Sequence, residues 1–195
     1  IYAENWNILG KLANKIQKTS LATECRQKSK QYQKSVLDKC WSDEEGQFVS
    51  YYHQKDEEHT SKIETIQSLF PLVFDDIPKD LQEKLVAKLK DPNKFGTPFP
   101  VPTTAVSETE FNPEDSRLMW RGPTWPNTNF FIIEGLLKHG YDQVANEIVD
   151  KWTKMHMENG IYEYHNPLTG APEGQEGLGM ANSIVPVLYK MGRVD

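Results

Sequence analysis

Apolar residues recur at three- and four-residue spacing in segment after segment, and clusters of glycine and proline separate those segments. This period places apolar side chains on one face of an α-helix, so the chain has to pair its helices. From Glu4 to Lys18 the apolar set is Ile8, Leu9, Leu12, Ala13 and Ile16, predicting a helix that buries this face. Leu21, Cys25, Tyr32, Val36, Leu37 and Cys40 predict a second, with lysine and glutamine on its other side. The two form a helical hairpin. Further helices are predicted over Lys62 to Phe74 and from Pro78 through Leu81, Leu85, Val86 and Leu89. Pro126 suits the first turn of another, which carries Phe130, Phe131, Ile133, Leu136 and Leu137 and stops at Gly140. Asp142 is placed to cap a following helix with Val144, Ala145, Ile148, Val149 and Trp152. Met180 to Met191 closes the chain as a helix interrupted at Pro186.

The connections carry their own signals. Trp41 to Tyr52 combines the turn sequence SDEEG with a short aromatic run that favours extended backbone. Asp91 to Arg117 holds five prolines and reads as a long loop, and the stretch from Lys94 onward is a candidate lid. Ile161 to Tyr164 reads as extended, and Asn166 to Gly179 as a Gly/Pro-rich loop. The expected fold class is therefore all-α, built of antiparallel helical hairpins with almost no strand. Cys25 and Cys40, if on one helix, stand about 22 Å apart at the helical rise. They cannot bridge and read as small core residues.

The 22 Lys+Arg against 28 Asp+Glu leave a net charge of −6, which argues against a nucleic-acid binder. No apolar run approaches a membrane-spanning length, and the start IYAENWNILG has no basic and then apolar leader pattern. No cluster of metal-ligating or redox residues appears, so no metal or cofactor is expected.

Two segments concentrate aromatic, polar and glycine residues at helix ends. In the first, Trp120 and Trp125 offer ring faces, Arg121 a fork of donors, and Asn127 and Asn129 amides that donate and accept. Such a set suits a carbohydrate; the same residues also suit core anchors and helix caps. In the second, Glu163 stands between Tyr162 and Tyr164 in an extended run, so alternation turns it away from both. A carboxylate so placed is a candidate general base, or a solvated or capping residue.

Together these segments resemble the glycoside hydrolases built on an (α/α)6 barrel, above all family 63 and more distantly the family 37 trehalases. WRGPTWPNTNFFIIEGLLKHGY is similar to the W-R-G-P-x-W-P-x-x-N stretch that leads into a barrel helix, and YEYHNPLTGAPEG to the E-Y-Y-N/D-P-x-T-G segment. AENWNILGKLANKI resembles the inner helix that follows the catalytic-acid loop, and CWSDEEGQFVSYY a turn of the same family. The resemblance implies hydrolysis of an α-glycosidic bond with inversion, on a glucosidase- or mannosidase-like substrate and without a cofactor. It makes Glu163 the general base and places Trp120, Arg121 and Trp125 along the sugar subsite, with Tyr162, Tyr164 and Asn127 beside them.

The chain departs from the family in two places. Gly177-Leu178-Gly179-Met180 stands where an aromatic, commonly Trp, is usual. The family's acid, an Asp upstream of the first helix, has no matching position; Asp38, Asp43, Asp56 and Asp115 read as turn, cap or surface residues. Residues 1–195 are therefore expected to be the C-terminal portion of one (α/α)6 barrel, partnered by an N-terminal portion of the same polypeptide that carries the acid. Such a piece should expose apolar faces where its neighbours belong. The alternatives are a non-catalytic carbohydrate-binding or structural module derived from such a barrel, and a helical scaffold for protein partners.

Overall fold

The structure, a computed structural model, describes residues 1–54 and 57–194. Its helices are α1 (Tyr2–Lys15), α2 (Thr19–Cys40), α3 (Lys79–Lys90), α4 (Pro126–Lys138), α5 (Asp142–Asn159) and α6 (Ile184–Lys190). Three antiparallel ribbons of two strands each complete it: β1 (Trp41–Ser42) with β2 (Gln47–Phe48), β3 (Ser50–Gln54) with β4 (Glu57–Ser61), and β5 (Tyr162–His165) with β6 (Pro172–Glu176). No helix among the described residues is long and apolar enough to cross a membrane.

α1 and α2 form the predicted hairpin, but on a different face. The buried residues of α1 are Ala3, Asn7, Gly10 and Ala13, whereas Ile8, Leu9, Leu12 and Ile16 are exposed. On α2 the buried set is Ala22, Cys25, Ser29 and Gln33, while Leu21 and Tyr32 are exposed. Small residues win the interface because they let the two backbones approach: a methyl added to Gly10 would meet the Ala22 carbonyl oxygen and Cys25 Cβ, each at 3.3 Å. The large apolar residues instead line an open groove of about 400 Å³ formed by Trp6, Leu9, Leu12, Ala13, Lys15, Ile16, Leu21 and Cys25. Periodicity names two candidate faces on such a helix and does not say which one meets its partner. Cys25 and Cys40 are unbridged on this one helix, Cys25 buried and Cys40 partly so.

The main core lies between α3, α4, α5 and a 3₁₀ helix over Ile66–Val73, with Trp152, Phe95, Leu69, Leu72, Ile132, Ile133 and Leu136 fully buried. This 3₁₀ element replaces the helix expected over residues 62–74, since Pro71 lies inside it and Ile63 is exposed. α4 starts at Pro126 and α5 at Asp142, and Gly140 between them takes a left-handed φ of +75°. Asp142 is the first residue of α5 rather than its cap, a position where its charge still suits the positive end of the helix dipole. Near the C-terminus a 3₁₀ turn over Gly179–Ser183 precedes α6, so the break falls before Pro186, which occupies the first turn of α6. The loop expected over residues 166–179 contains β6.

The long Pro-rich segment is built into the fold over its first half. Phe95, Val101 and Ala105 are fully buried, and Thr97, Thr103 and Thr104 nearly so. The Ile66 amide donates to the Thr103 carbonyl, Thr103 to Pro123, and Ala105 to Glu64. The buried Glu64 carboxylate pairs with Lys88 of α3 and, at 2.6 Å, with Lys94. Residues 95–105 therefore cannot act as the lid expected there, because moving them would strip a core of its wall and leave a buried charge unpaired.

α4 meets the 3₁₀ helix at Gly135. A methyl added there would lie 2.7 Å from Leu72 Cβ and 2.8 Å from its carbonyl carbon. Gly135→Ala should destabilise the protein by about 1–3 kcal/mol, because this overlap outweighs the roughly 1 kcal/mol of helix propensity that alanine adds. A thermal midpoint equal to or above that of the parent protein would contradict this packing.

Candidate active site

The two sequence segments singled out meet through Thr124. Its amide donates to the His165 carbonyl at 2.8 Å and its carbonyl accepts from His165 at 3.0 Å, and its other side bridges Pro102. The chain entering α4 is thereby joined edge to edge with β5. Trp125 is next along the chain from Thr124, and Tyr164 is next to His165, so their rings are brought face to face.

The result is a stack of three rings. Trp120 and Trp125 lie 4.2 Å apart between centroids with planes at 8°, and Trp125 and Tyr164 lie 4.8 Å apart at 19°. Trp125 and Tyr164 are buried, whereas Trp120 is 48% exposed. The Trp125 indole N–H donates to the Met119 carbonyl at 2.8 Å, which holds the middle ring in its plane. Arg121 is exposed beside Trp120, and its guanidinium has no partner among the described residues.

Glu163 is half-buried on β5, next to Tyr164 in the chain. The pairing of β5 with β6 sets Tyr162 opposite Glu176 and Tyr164 opposite Glu173, so β6 carries an extra residue facing Glu163. Gly174 takes a left-handed φ of +71° at this bulge, and a methyl on it would come within 2.6 Å of Glu163 Oε2. The Gln175 amide donates to Oε2 at 3.3 Å. The bulge thus makes room for the carboxylate and aims a donor at it.

Other groups surround this centre. Tyr162 is half-buried, its ring edge-on to His165 at 6.2 Å. Asn127 accepts from the Thr128 amide at 2.9 Å and lines an open cleft of about 450 Å³ with Phe130, Phe131, Gly179, Met180, Asn182, Ser183 and Pro186. This cleft runs from the start of α4 to the turn where the chain departs from the family's aromatic. Asn129 is fully buried, with its amide bonded to Val101, Thr124 and Trp125, so it is not exposed to a ligand. Burial and the nearby Glu114 push the Glu173 carboxyl above its ordinary range, and its Oε2 has no partner among the described residues. Burial, with Glu173 and Glu163 nearby, also raises the Tyr164 hydroxyl. Sequence reading missed Glu173, whose only mark is its place in a Gly-rich run after the Glu163 strand.

The aspartates considered earlier sit in surface and turn roles. Asp38 pairs with Lys34 at 2.6 Å, Asp43 accepts from the Trp41 indole at 2.8 Å, and Asp115 caps a short 3₁₀ turn through the Arg117 amide. Asp56 lies outside the described residues.

Beneath the site, His165 is fully buried and shares the Gly160 carbonyl with His156, the two rings 5.3 Å apart. Burial, and then the neighbouring His156, lowers His165 to about 4, so it is neutral at pH 7. Its ordinary value of 6.5 lies above its folded value, so between the two the unfolded chain takes up a proton that the folded one refuses. Stability should therefore fall by about 1–3 kcal/mol as the pH drops through this window. In thermal melts from pH 7 to pH 5, His165→Gln should flatten the dependence; an unchanged slope would assign it to other groups.

Comparison with known proteins bears on the fold and the family. A mannosylglycerate hydrolase from Rubrobacter radiotolerans is 26% identical over 171 residues, covering 86% of this chain and 37% of that protein. The crystal structure of a family 63 mannosylglycerate hydrolase from Thermus thermophilus in complex with glucose superposes with a TM-score of 0.77 at 20% identity, over 93% of this chain and 43% of that one. Neutral trehalase from Saccharomyces cerevisiae follows at a TM-score of 0.65 and 22% identity, over 87% of this chain and 30% of that one. The fold is thus that of the helical hairpins of (α/α)6-barrel enzymes, and the chain spans less than half the length of these relatives. The model of the mannosylglycerate hydrolase MGH1-like glycoside hydrolase domain matches residues 1–179, and the chain belongs to that family.

Proposed function

We propose that this chain is the C-terminal portion of an inverting glycoside hydrolase barrel and supplies its general base, Glu163. The observation that carries the reading is the ring stack. It ends on one side in an exposed indole, Trp120, beside the unpaired guanidinium of Arg121, and on the other in Tyr164, adjacent to a carboxylate held by a backbone amide. An indole face suits the C–H face of a pyranose, and the guanidinium suits its hydroxyls or an attached carboxylate. Trp125 and Tyr164 set the plane of that platform, and the family resemblance adds Asn127 and Tyr162 as neighbours of the sugar.

Inversion needs a second carboxyl about 6.5–9.5 Å from the first, with water between them. Glu163 removes a proton from that water as its oxygen attacks the anomeric carbon. The bond to the leaving oxygen breaks as the acid protonates it, and the acid belongs to the N-terminal portion. The exposed stripe of Leu9, Leu12 and Ile16 is the surface that this portion covers. Family membership and the relatives' names support a mannoside or glucoside as the substrate, and the resemblance of the motifs makes the bond an α-glycosidic one.

In the complete polypeptide that carries this sequence, Glu163→Gln should lower hydrolysis of α-mannosylglycerate by about 10²–10⁴-fold and leave sugar affinity nearly unchanged. Turnover retained by this variant would overturn the assignment. Sugar binding without turnover in the parent protein would favour the non-catalytic module. Native mass spectrometry should find the 22.4 kDa chain covalently extended or tightly held by a second fragment; a stable lone monomer would remove the N-terminal partner.

A further inference from the structure

We infer that Asn129 is the positioning residue of this site, fixing the ring stack against the strand that carries Glu163; the inference rests on the carbohydrate reading of that stack. Asn129 lies in the first turn of α4 and is fully buried. Its Oδ1 accepts from the Val101 amide at 2.7 Å, and its Nδ2 faces the Val101 carbonyl at 3.2 Å, Thr124 Oγ1 at 3.1 Å and the Trp125 carbonyl at 2.8 Å. With carbonyl oxygens on the Nδ2 side and an N–H on the Oδ1 side, only this orientation of the amide satisfies the network.

The side chain does what a neighbouring strand would do. It pairs with both polar groups of Val101, one residue before the point where Pro102 bridges Thr124. Thr124 in turn pairs with His165, so a single amide ties together α4, the Pro-rich segment and β5. The Trp125 carbonyl collects three donors, from the Asn129 side chain, the Asn129 amide at 3.2 Å and the Thr128 hydroxyl at 3.0 Å. Backbone freedom at Trp125 is removed at the residue whose ring separates Trp120 from Tyr164. Asn129 touches no ligand itself. It acts through Trp125, whose tilt sets where the Trp120 face lies relative to Glu163.

Asn129→Asp tests this with little change of shape. It keeps the acceptor for Val101 and turns the donating nitrogen into an oxygen set against three oxygens. The control is Gln82→Leu on α3, which removes a buried side-chain amide that donates to the Ile77 carbonyl, away from the stack. Two readouts follow the stack: the circular dichroism couplet of the paired indoles, and the affinity for methyl α-D-mannoside and methyl α-D-glucoside read by tryptophan fluorescence. Asn129→Asp should lose the couplet and bind about tenfold more weakly, as expected for a misplacement of an ångström or less. Gln82→Leu should lower the melting point and leave both readouts at the parent values.

A folded Asn129→Asp protein with the parent couplet and affinity overturns the inference. Should that variant fail to fold, Thr124→Val removes one of the four contacts and is expected to weaken binding about threefold and reduce the couplet, as loss of one hydrogen bond would. An unchanged Thr124→Val protein likewise overturns the inference. If the parent protein binds neither glycoside, the carbohydrate reading falls by itself, and the couplet still decides whether Asn129 positions the stack.

Discussion

Thr124 takes part in backbone pairing on both sides, to Pro102 and to His165, and so links the Pro-rich segment to the ribbon of β5 and β6. This junction is where helical hairpins, which pack through side chains, are held in register by main-chain hydrogen bonds. Its peptide groups are buried and would be costly to leave unpaired. Everything distinctive about the site is placed by it: the segment that delivers Trp120 and Trp125, the strand that delivers Glu163 and Tyr164, and the Asn129 amide that closes the gap at Val101.

Around this junction the fold divides into two kinds of packing. Between α3, α4, α5 and the 3₁₀ helix, large side chains interlock and Gly135 allows α4 close against Leu72. Between α1 and α2, small residues bring the backbones together and push the large ones outward, leaving an apolar groove open. The first arrangement closes its large apolar side chains inside. The second leaves Leu9, Leu12 and Ile16 exposed, in a chain that spans under half the length of the relatives it matches.

Charge and polarity are distributed to keep the site rigid. Glu64, buried with two lysines, fastens the Pro-rich segment to α3, so that this segment forms a wall instead of a moving cover. Burial keeps His165 neutral under β5, and burial with Glu114 nearby raises the Glu173 carboxyl. Glu163 differs from its neighbours because the bulge at Gly174 opens space around it and turns the Gln175 amide toward it.

The sequence by itself determined the all-α class, the helix starts at Pro126 and near Asp142, the left-handed stop at Gly140, and the two segments that hold the candidate site. Local chemistry suffices for these: proline and glycine restrict φ, apolar spacing marks helical faces, and the family motifs lie within short stretches. Tertiary structure alone decided which face of α1 is buried, because Gly10 and Ala13 matter only once α2 approaches. It also decided that Asn129 is a buried brace and Trp125 the middle of a stack, while Asn127 and Trp120 stay open. Those roles depend on Val101, Thr124 and Tyr164, which are distant in the chain or gain meaning only through pairing. Polar residue types read alike in both settings, and burial separates Asn129, closed off inside the protein, from Asn127, which borders an open cleft.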